Sequence, residues 1–497
     1  MRQLSKSKII AFRQCPKRLW LELHMPELRD DSGSEMAFRI GNQVGAVARQ
    51  IFDHEENGRL IDVDEIGWDA AFSETTTWLA TTAAPLFEAA LRINGALALA
   101  DVMLPETAHG SLRWHMIEVK SSTTVKDYHR EDLAVQTYIA QHAGVDLASA
   151  SVAHVDNSFV YQGDGRYTGL LKQVDLTEGA RAMAGDVESW IDHAQQVAAL
   201  PGEPDIETGP QCSKPFDCPF LHHCSANQPR TAFPLTSFHR LGAAKREELA
   251  DQGYTDVRDV PDEKLSAVNQ RIKRQSIAGD AWFDAAGAAA SLAPHTGTAW
   301  FLDFETISLG VPVWKGTSPY RPIPFQFSLH IVPPGGEMTH REFLDLSGDD
   351  PAEAFARSLI DSCGTEGPVF VYNAAFENRI MRELAARFPT HADDLRAIIH
   401  RVVDLLPVAR NHYYHPAQHG SWSIKALLPT ICPDLAYGAL QGVQHGEAAQ
   451  QAFIEALAPQ TTAGRKAEIK QQLLAYCKLD TLAMVKLWQF FRGTTTV

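Results

Sequence analysis

The sequence predicts an α/β protein of several domains, and three observations carry that expectation. The chain has 497 residues, more than a single hydrophobic core ordinarily organises. Short apolar, strand-like runs carry acids at two-residue spacing, as in Trp300-Phe-Leu-Asp303-Phe-Glu305 and in Leu97-Ala-Leu-Ala-Asp101 followed by Trp114-His-Met-Ile-Glu118-Val-Lys120. Longer stretches of helical character lie between and after them, the last holding Tyr476 and Asp480 four residues apart.

Composition bounds the function. Hydrophobic content of 45% with 21% charged residues is that of a soluble globular chain, and no run approaches the roughly 20 apolar residues that span a bilayer. The first eighteen residues hold six Lys or Arg and no acid, which could mimic a transit peptide, but they show no cleavage pattern. A cytoplasmic protein without a membrane partner is expected. Seven cysteines are too few for a disulfide scaffold, and their clustering suggests metal ligation in a reducing compartment. A net charge of −16 means that any nucleic-acid face must be a local patch whose binding depends strongly on salt.

Residues 1–230 come first. Their two strand-like runs are joined by a turn containing Pro and Gly. Asp101 and Glu118 offer oxygen ligands to Mg²⁺, and Lys120, one alternation away on the same face, is placed to position an attacking water or stabilise phosphate charge. Cys212, Cys218 and Cys224 follow at six-residue intervals, and with the distant Cys15 they supply four thiolates, suited to a [4Fe–4S] cluster or to structural Zn²⁺.

An Asp followed by Glu-x-Lys on the next strand resembles the PD-(D/E)xK nucleases. One cysteine before that core and three after it resembles their iron–sulfur RecB-like members, including the CRISPR-associated exonucleases. The resemblance spans about residues 4 to 228, opening at Ser7-Lys-Ile-Ile-Ala-Phe-Arg-Gln-Cys15-Pro16 and closing at Cys218-Pro-Phe and Cys224. It implies a restriction-endonuclease-like α/β core whose chain ends are pinned together by the cluster. Two departures stand out. Gly41-Asn-Gln-Val-Gly45 has no histidine where the resembled proteins often carry one, and Gln136 of their Gln-x-x-x-Tyr motif is followed by Tyr138 instead. On its predicted helix, Arg130 to His142, Gln136 is either a site residue or a surface residue.

Residues 231–295 read as a helical connector. Leu241–Leu249 and Gly253–Pro261 resemble a helix-hairpin-helix pair, which either grips phosphate backbone or serves as a spacer. Arg271, Lys273 and Arg274 add positive charge, and the Ala-rich run from Gly279 to Ala293 is expected as a helix or linker.

In residues 296–497, strand periodicity projects Asp303 and Glu305 to one side, an arrangement that hard Mg²⁺ or Mn²⁺ favours. Tyr372-Asn373-Ala-Ala-Phe376-Glu377 and Tyr476-Cys-Lys-Leu-Asp480 follow in order. Order, spacing and the Tyr-x-x-x-Asp ending resemble the DnaQ-like (DEDD) exonucleases of the tyrosine subtype over about residues 297 to 495. The resemblance implies a ribonuclease-H-like α/β fold and two-metal 3′–5′ hydrolysis. Asp303, Glu305, Glu377 and Asp480 would be the ligands and Tyr476 the group that orients water. Glu377 stands where the family has the shorter Asp. Asn373 and Phe376 would brace that helix start and the substrate.

Gln326, Ser328 and His330 alternate on a strand and either line the substrate groove or are simply half-buried. Asp404 reads as a helix cap, and His412-Tyr-Tyr-His415 with His419 as a substrate-facing loop rather than a zinc site. Cys363, Cys432 and Cys477 read as packing residues. Together these features lead us to expect a metal-dependent nuclease of DNA repair or defence, with DNA favoured over RNA. The alternatives are an RNA-trimming enzyme, or an N-terminal module that only binds nucleic acid and feeds the exonuclease.

Overall fold

The structure, a computed structural model, describes residues 2–32, 35–108, 111–226, 231–435 and 437–494. It divides into two units, one of residues 1–228 with 309–321 and one of residues 229–308 with 322–497. The connector expected at 231–295 is thus part of the second unit, and its expected boundary at 230 lies outside the described residues. Among the described residues no helix is long and apolar enough to cross a membrane.

In the first unit, Cys15-Pro16 breaks the opening segment into the helices Lys6–Gln14 and Pro16–His24. Proline pushes the preceding residue to extended geometry, and Cys15 has φ −162° and ψ 122°. The strands are β1 (Leu4–Ser5), β2 (Arg59–Leu60), β3 (Leu86–Ile93), β4 (Ala96–Ala108), β5 (Ser111–Lys120), β6 (Leu147–Val155) and β7 (Leu171–Asp175). They form one open mixed sheet in the order β2-β3-β4-β5-β6-β7, with β1 beside β4. Pro105 lies within β4, whereas Gly110 of the expected turn lies outside the described residues. The helix Asp127–His142 buries Leu133, Ala134, Val135 and Ile139 in the core shared with β3, β4 and β6. The inserted segment 309–321 is held by Tyr161 N–H donating to the Thr317 carbonyl (3.0 Å) and by the Tyr167 hydroxyl donating to that of Pro312 (3.2 Å).

The second unit holds β8 (Trp282–Phe283), β9 (Ala299–Ile307), β10 (Ile323–Val332), β11 (Thr339–Leu344), β12 (Val369–Val371), β13 (Val402–Asp404) and β14 (Tyr413–Tyr414). Its main sheet runs β11-β10-β9-β12-β13, an antiparallel meander extended by two parallel strands. The terminal helix Ala463–Phe491 packs across β9 and β10. β8 and β14 pair separately, which ties the connector to this unit and buries Tyr413 and Tyr414.

The helix-hairpin-helix expectation is corrected. Ala243–Asp251 is helical and Gly253 adopts φ +89°, but residues 254–261 form turns and the next helix is Ala267–Ala278. The Asp256 carboxylate accepts the Arg258 and Phe233 N–H groups, which offers this stretch a local alternative to helical hydrogen bonding.

Candidate metal centre

β9 places Asp303 and Glu305 two residues apart on the face that the terminal helix covers. That helix carries Tyr476 and, one turn later, Asp480. Carboxylate oxygens of Asp303, Glu305 and Asp480 all lie within 4.8 Å of one another. Glu377 enters from the first turn of the helix Ala374–Arg387, whose start is set by Asn373 in the left-handed region at φ 77°. The Asp404 carboxylate fixes this turn by accepting the N–H groups of Asn373 (3.0 Å) and Ala374 (3.1 Å), and it also caps its own helix through Leu406 (2.9 Å).

Burial of so much negative charge shows in the ionisation of the group. Burial and then Asp480, Glu305 and Glu377 hold the Asp303 carboxyl well above the usual range. Burial and Asp480 push Glu305 up to about 8, against the pull of Lys425. Burial lifts Asp480 to about 6, with hydrogen bonds from Tyr437 and Tyr476 and the charge of Lys425 opposing it. Burial also takes Glu377 to about 8, and its Oε2 has no hydrogen-bond partner among the described residues. Oxygen-only donors, clustered, buried and short of counter-charge, fit a hard divalent cation.

Two residues that pattern reading missed complete this centre. The Lys425 ammonium lies 3.1 Å from the Tyr476 hydroxyl and over its ring, anchored on the Gln444 carbonyl at 2.8 Å. The Tyr437 hydroxyl donates to Asp480 Oδ1. Of the expected substrate residues, Asn373 is exposed and Phe376 half-buried beneath Arg379.

Gln326 requires correction as a groove residue. It is 1% exposed, and its amide donates to the Leu473 carbonyl of the terminal helix at 2.7 Å. Ser328 and His330 likewise bind the Thr481 hydroxyl, at 2.7 and 2.8 Å, so this face of β10 docks the helix that carries Asp480. The histidine cluster disperses too. His412 pairs with Asp284 at 2.9 Å, His415 caps the turn Pro416–Gln418, and His419 is exposed.

The first unit assembles a second acidic group. Registers Phe87–Val102 and Val102–Ile117 bring Glu88, Asp101 and Glu118 to adjacent positions on β3, β4 and β5. Glu88, missed in the sequence, takes φ 54° there, unusual for a non-glycine residue. Its carboxyl is raised by burial, with Arg49 opposing and Glu118 adding to the shift. Asp101 accepts the Val119 N–H at 2.7 Å and is raised well above the carboxylate range by burial and Glu118.

Burial also disfavours the charge on Glu118, but Lys120 and Lys6 outweigh it and hold this carboxyl below its usual range. Lys120 lies 2.6 Å from Glu118 and also pairs with Asp132. Lys6 lies 2.8 Å from Glu118 and 3.4 Å from Asp132. Gln136 is fully buried rather than on the surface, and its Nε2 donates to Glu118 Oε2. Tyr138 stacks on His142 instead. Lys6, Asp132 and Glu88 escape pattern reading because only the folded helices and sheet bring them to Glu118. With two ammonium groups and an amide on Glu118, the donors here suit a cation less well than the centre on β9.

Cys15, Cys212, Cys218 and Cys224 line one small pocket, all as free thiols. Burial raises Cys218 and Cys224, while Arg18 and Lys17 respectively oppose the shift. Gln14, not singled out by its pattern, donates to the carbonyls of Gln211 (2.8 Å) and Phe216 (2.7 Å) and so ties the cysteine loop to the opening helix. Four converging thiols fit a cluster or ion with thiolate ligands. Cys363 and Cys477 are buried and Cys432 is partly so.

A sequence profile described as a domain of unknown function, DUF2779, matches residues 300–423, from the Asp303 strand to Ser423. No curated protein matches the chain.

Proposed function

We propose that the chain is a divalent-metal-dependent nuclease, with a 3′–5′ exonuclease centre of DnaQ-like, ribonuclease-H-like type in the second unit and a RecB-like centre in the first. The observation that carries this reading is the convergence of Asp303, Glu305 and Asp480 within 4.8 Å, with Glu377 buried nearby. The mixed five-stranded sheet, with the two acids of β9 at its centre and Tyr476 and Asp480 on the covering helix, supports it. Asp303, Glu305, Glu377 and Asp480 would hold Mg²⁺ or Mn²⁺, which would supply Lewis acidity toward a phosphodiester.

The four carboxyls hold that charge in place. Tyr476, poised by Lys425, orients the nucleophile's proton toward the carboxylates, and Lys425 offsets the negative charge that develops beside them. The four thiols of the first unit hold a [4Fe–4S] cluster, or Zn²⁺ in its place, as a structural clasp.

A second reading has the first unit as a binding platform, and the pairing of Lys6 with Glu118 favours it. End-labelled DNA and RNA, incubated with Mg²⁺, Mn²⁺ or EDTA, test the proposal. Metal-dependent shortening from the 3′ end, lost in Asp303→Ala, is the expected result. Substrates left intact by wild type in all conditions would refute the exonuclease assignment.

A further inference from the structure

We infer that a cleft of about 550 Å³ in the second unit, between the connector and the segment following β13, is a subsite that takes a backbone phosphate of a nucleic-acid strand. The inference rests on the nuclease reading and names how that centre would hold its substrate. Thr236 and His239 of the connector face Arg410, His419 and Trp422 across the cleft, and Asn373 stands at its rim. Asn373 caps the helix whose first turn carries Glu377, so one lining residue of the cleft stands a helical turn from an acid of the centre.

The cleft is cationic in a chain of net charge −16. No ion pair is formed by the Arg410 guanidinium among the described residues, and its buried Nε has no hydrogen-bond partner there. Arg271 braces it from behind, donating to the carbonyls of Arg410 (2.6 Å) and Asn411 (3.2 Å), with its guanidinium 4.2 Å from the Trp282 ring. The Arg271 Nε is likewise buried and unpartnered among the described residues. His239 lies edge-on to Trp422 and is lowered first by burial and then by Arg410, Arg240 and Arg271, which places three positive charges around one imidazole.

Asp404, the nearby acid, does not line the cleft, and its hydrogen bonds go to three backbone N–H groups and to neither arginine. A half-buried guanidinium whose buried Nε has no partner among the described residues is matched in charge and geometry by a phosphate.

The walls are preformed. Gly420 has φ +76°, and a Cβ there would lie 1.9 Å from the Ser237 carbonyl oxygen, so the connector and the Gly420 loop touch backbone to backbone. A contact to backbone phosphate carries no sequence information, so the subsite is indifferent to sequence.

The test uses the full-length chain and fluorescent oligo(dT) and oligo(rU) in EDTA, where no hydrolysis occurs, with binding read by anisotropy across a salt series. Arg410→Gln is expected to weaken binding about tenfold, the scale of one charge-assisted hydrogen bond. It should also reduce the salt slope by roughly 0.7, the value for one phosphate contact on a single strand. Arg410→Lys should recover part of the loss. Thr236→Trp, which fills the cleft from the connector side without touching the arginine, should weaken binding independently and guards against misfolding of the arginine variants.

Equal binding by wild type, Arg410→Gln and Thr236→Trp, or no binding by wild type, would overturn the subsite. Displacement of the strand by an equal concentration of mononucleotide would also overturn it, in favour of a product pocket. Arg410-dependent binding without cleavage in Mn²⁺ would leave the subsite standing and remove the nuclease reading instead.

Discussion

The Lys425 ammonium sits 3.1 Å from the Tyr476 hydroxyl, and on the proposed function this pairing would make the two residues act as one unit. Tyr476→Phe is expected to slow single-turnover hydrolysis by roughly 10², the scale of one acid–base partner, with substrate binding nearly intact. Lys425→Met should cost a similar factor. The double variant should cost little more than either, since groups acting together are not additive. Full activity of Tyr476→Phe with both Mg²⁺ and Mn²⁺ would remove the tyrosine from the chemistry.

The buried acids predict a pH dependence that metal suppresses. Glu305 and Glu377 titrate at about 8 in the fold, against a usual value of 4.5. The native state therefore binds more protons than the unfolded chain between those values. That contribution to stability is full below about 4.5 and is lost as pH rises through 8. In EDTA the calorimetric transition of the second unit should fall between pH 6.5 and 9, and Mn²⁺ should flatten the fall. His330 and His340, lowered to about 4 by burial, are neutral in the fold across this window, and because the unfolded chain still protonates them near pH 6.5 they oppose the fall at its lower end. A transition that is flat in EDTA would argue against the carboxyl cluster.

Replacing a cluster acid should separate stability from activity. Asp303→Asn keeps the shape but removes the cost of burying an ionisable acid among other acids, so it should raise the metal-free transition, by about 1 kcal/mol on the scale of such gains, while abolishing hydrolysis. Asp480→Ala and Glu305→Ala should be deeper catalytic losses than Tyr476→Phe. Glu377→Asp should retain activity. Comparing EDTA melts with single-turnover rates across these variants checks the ordering.

Protein purified without oxygen should be brown, with about four irons per chain on the cluster reading. Cys218→Ser should destabilise the first unit and leave the second folded. Gln14→Ala, which frees two carbonyls of the cysteine loop, should cost about 1–3 kcal/mol and speed loss of colour in air. Stoichiometric zinc without iron, in protein made with ample iron, would reject the cluster.

Lys6 competes for the oxygen of Glu118 that a cation would need. In an Asp303→Asn background, Lys6→Ala should tighten Mn²⁺ binding to the first unit, measured by paramagnetic resonance. It should also lower metal-free stability by about 3 kcal/mol, as breaking a buried pair does. Lys120→Ala should remove any cutting that remains. Unchanged Mn²⁺ affinity in Lys6→Ala would place cation binding elsewhere.

Sequence spacing read well where chemistry sits on one element. Two-residue alternation put Asp303 and Glu305 on a strand face, and one helical turn put Tyr476 beside Asp480, because those relations are local. The mixed α/β class followed from the same periodicities. Lys425, Tyr437, Lys6, Asp132 and Glu88 were invisible because each joins its centre through the register of a sheet or the docking of a helix. Gln326 misled for a related reason. Alternation fixed its face correctly, but that face is covered by a helix from the far end of the chain, which turns a groove position into an interior one. Tyr413 and Tyr414 went the same way when β14 found β8.

Because residues 309–321 belong to the first unit, that unit is discontinuous in the chain. The Tyr320 hydroxyl donates to the Ser121 carbonyl, next to Lys120. During synthesis, then, Tyr161, Tyr167 and Ser121 emerge from the ribosome long before the peptide that satisfies them, and these contacts can form only after β9 of the second unit has been made. No single cut divides this polypeptide into two whole folds. A fragment ending near residue 228 would be an unfinished first unit, and its inactivity would say nothing about the intact one.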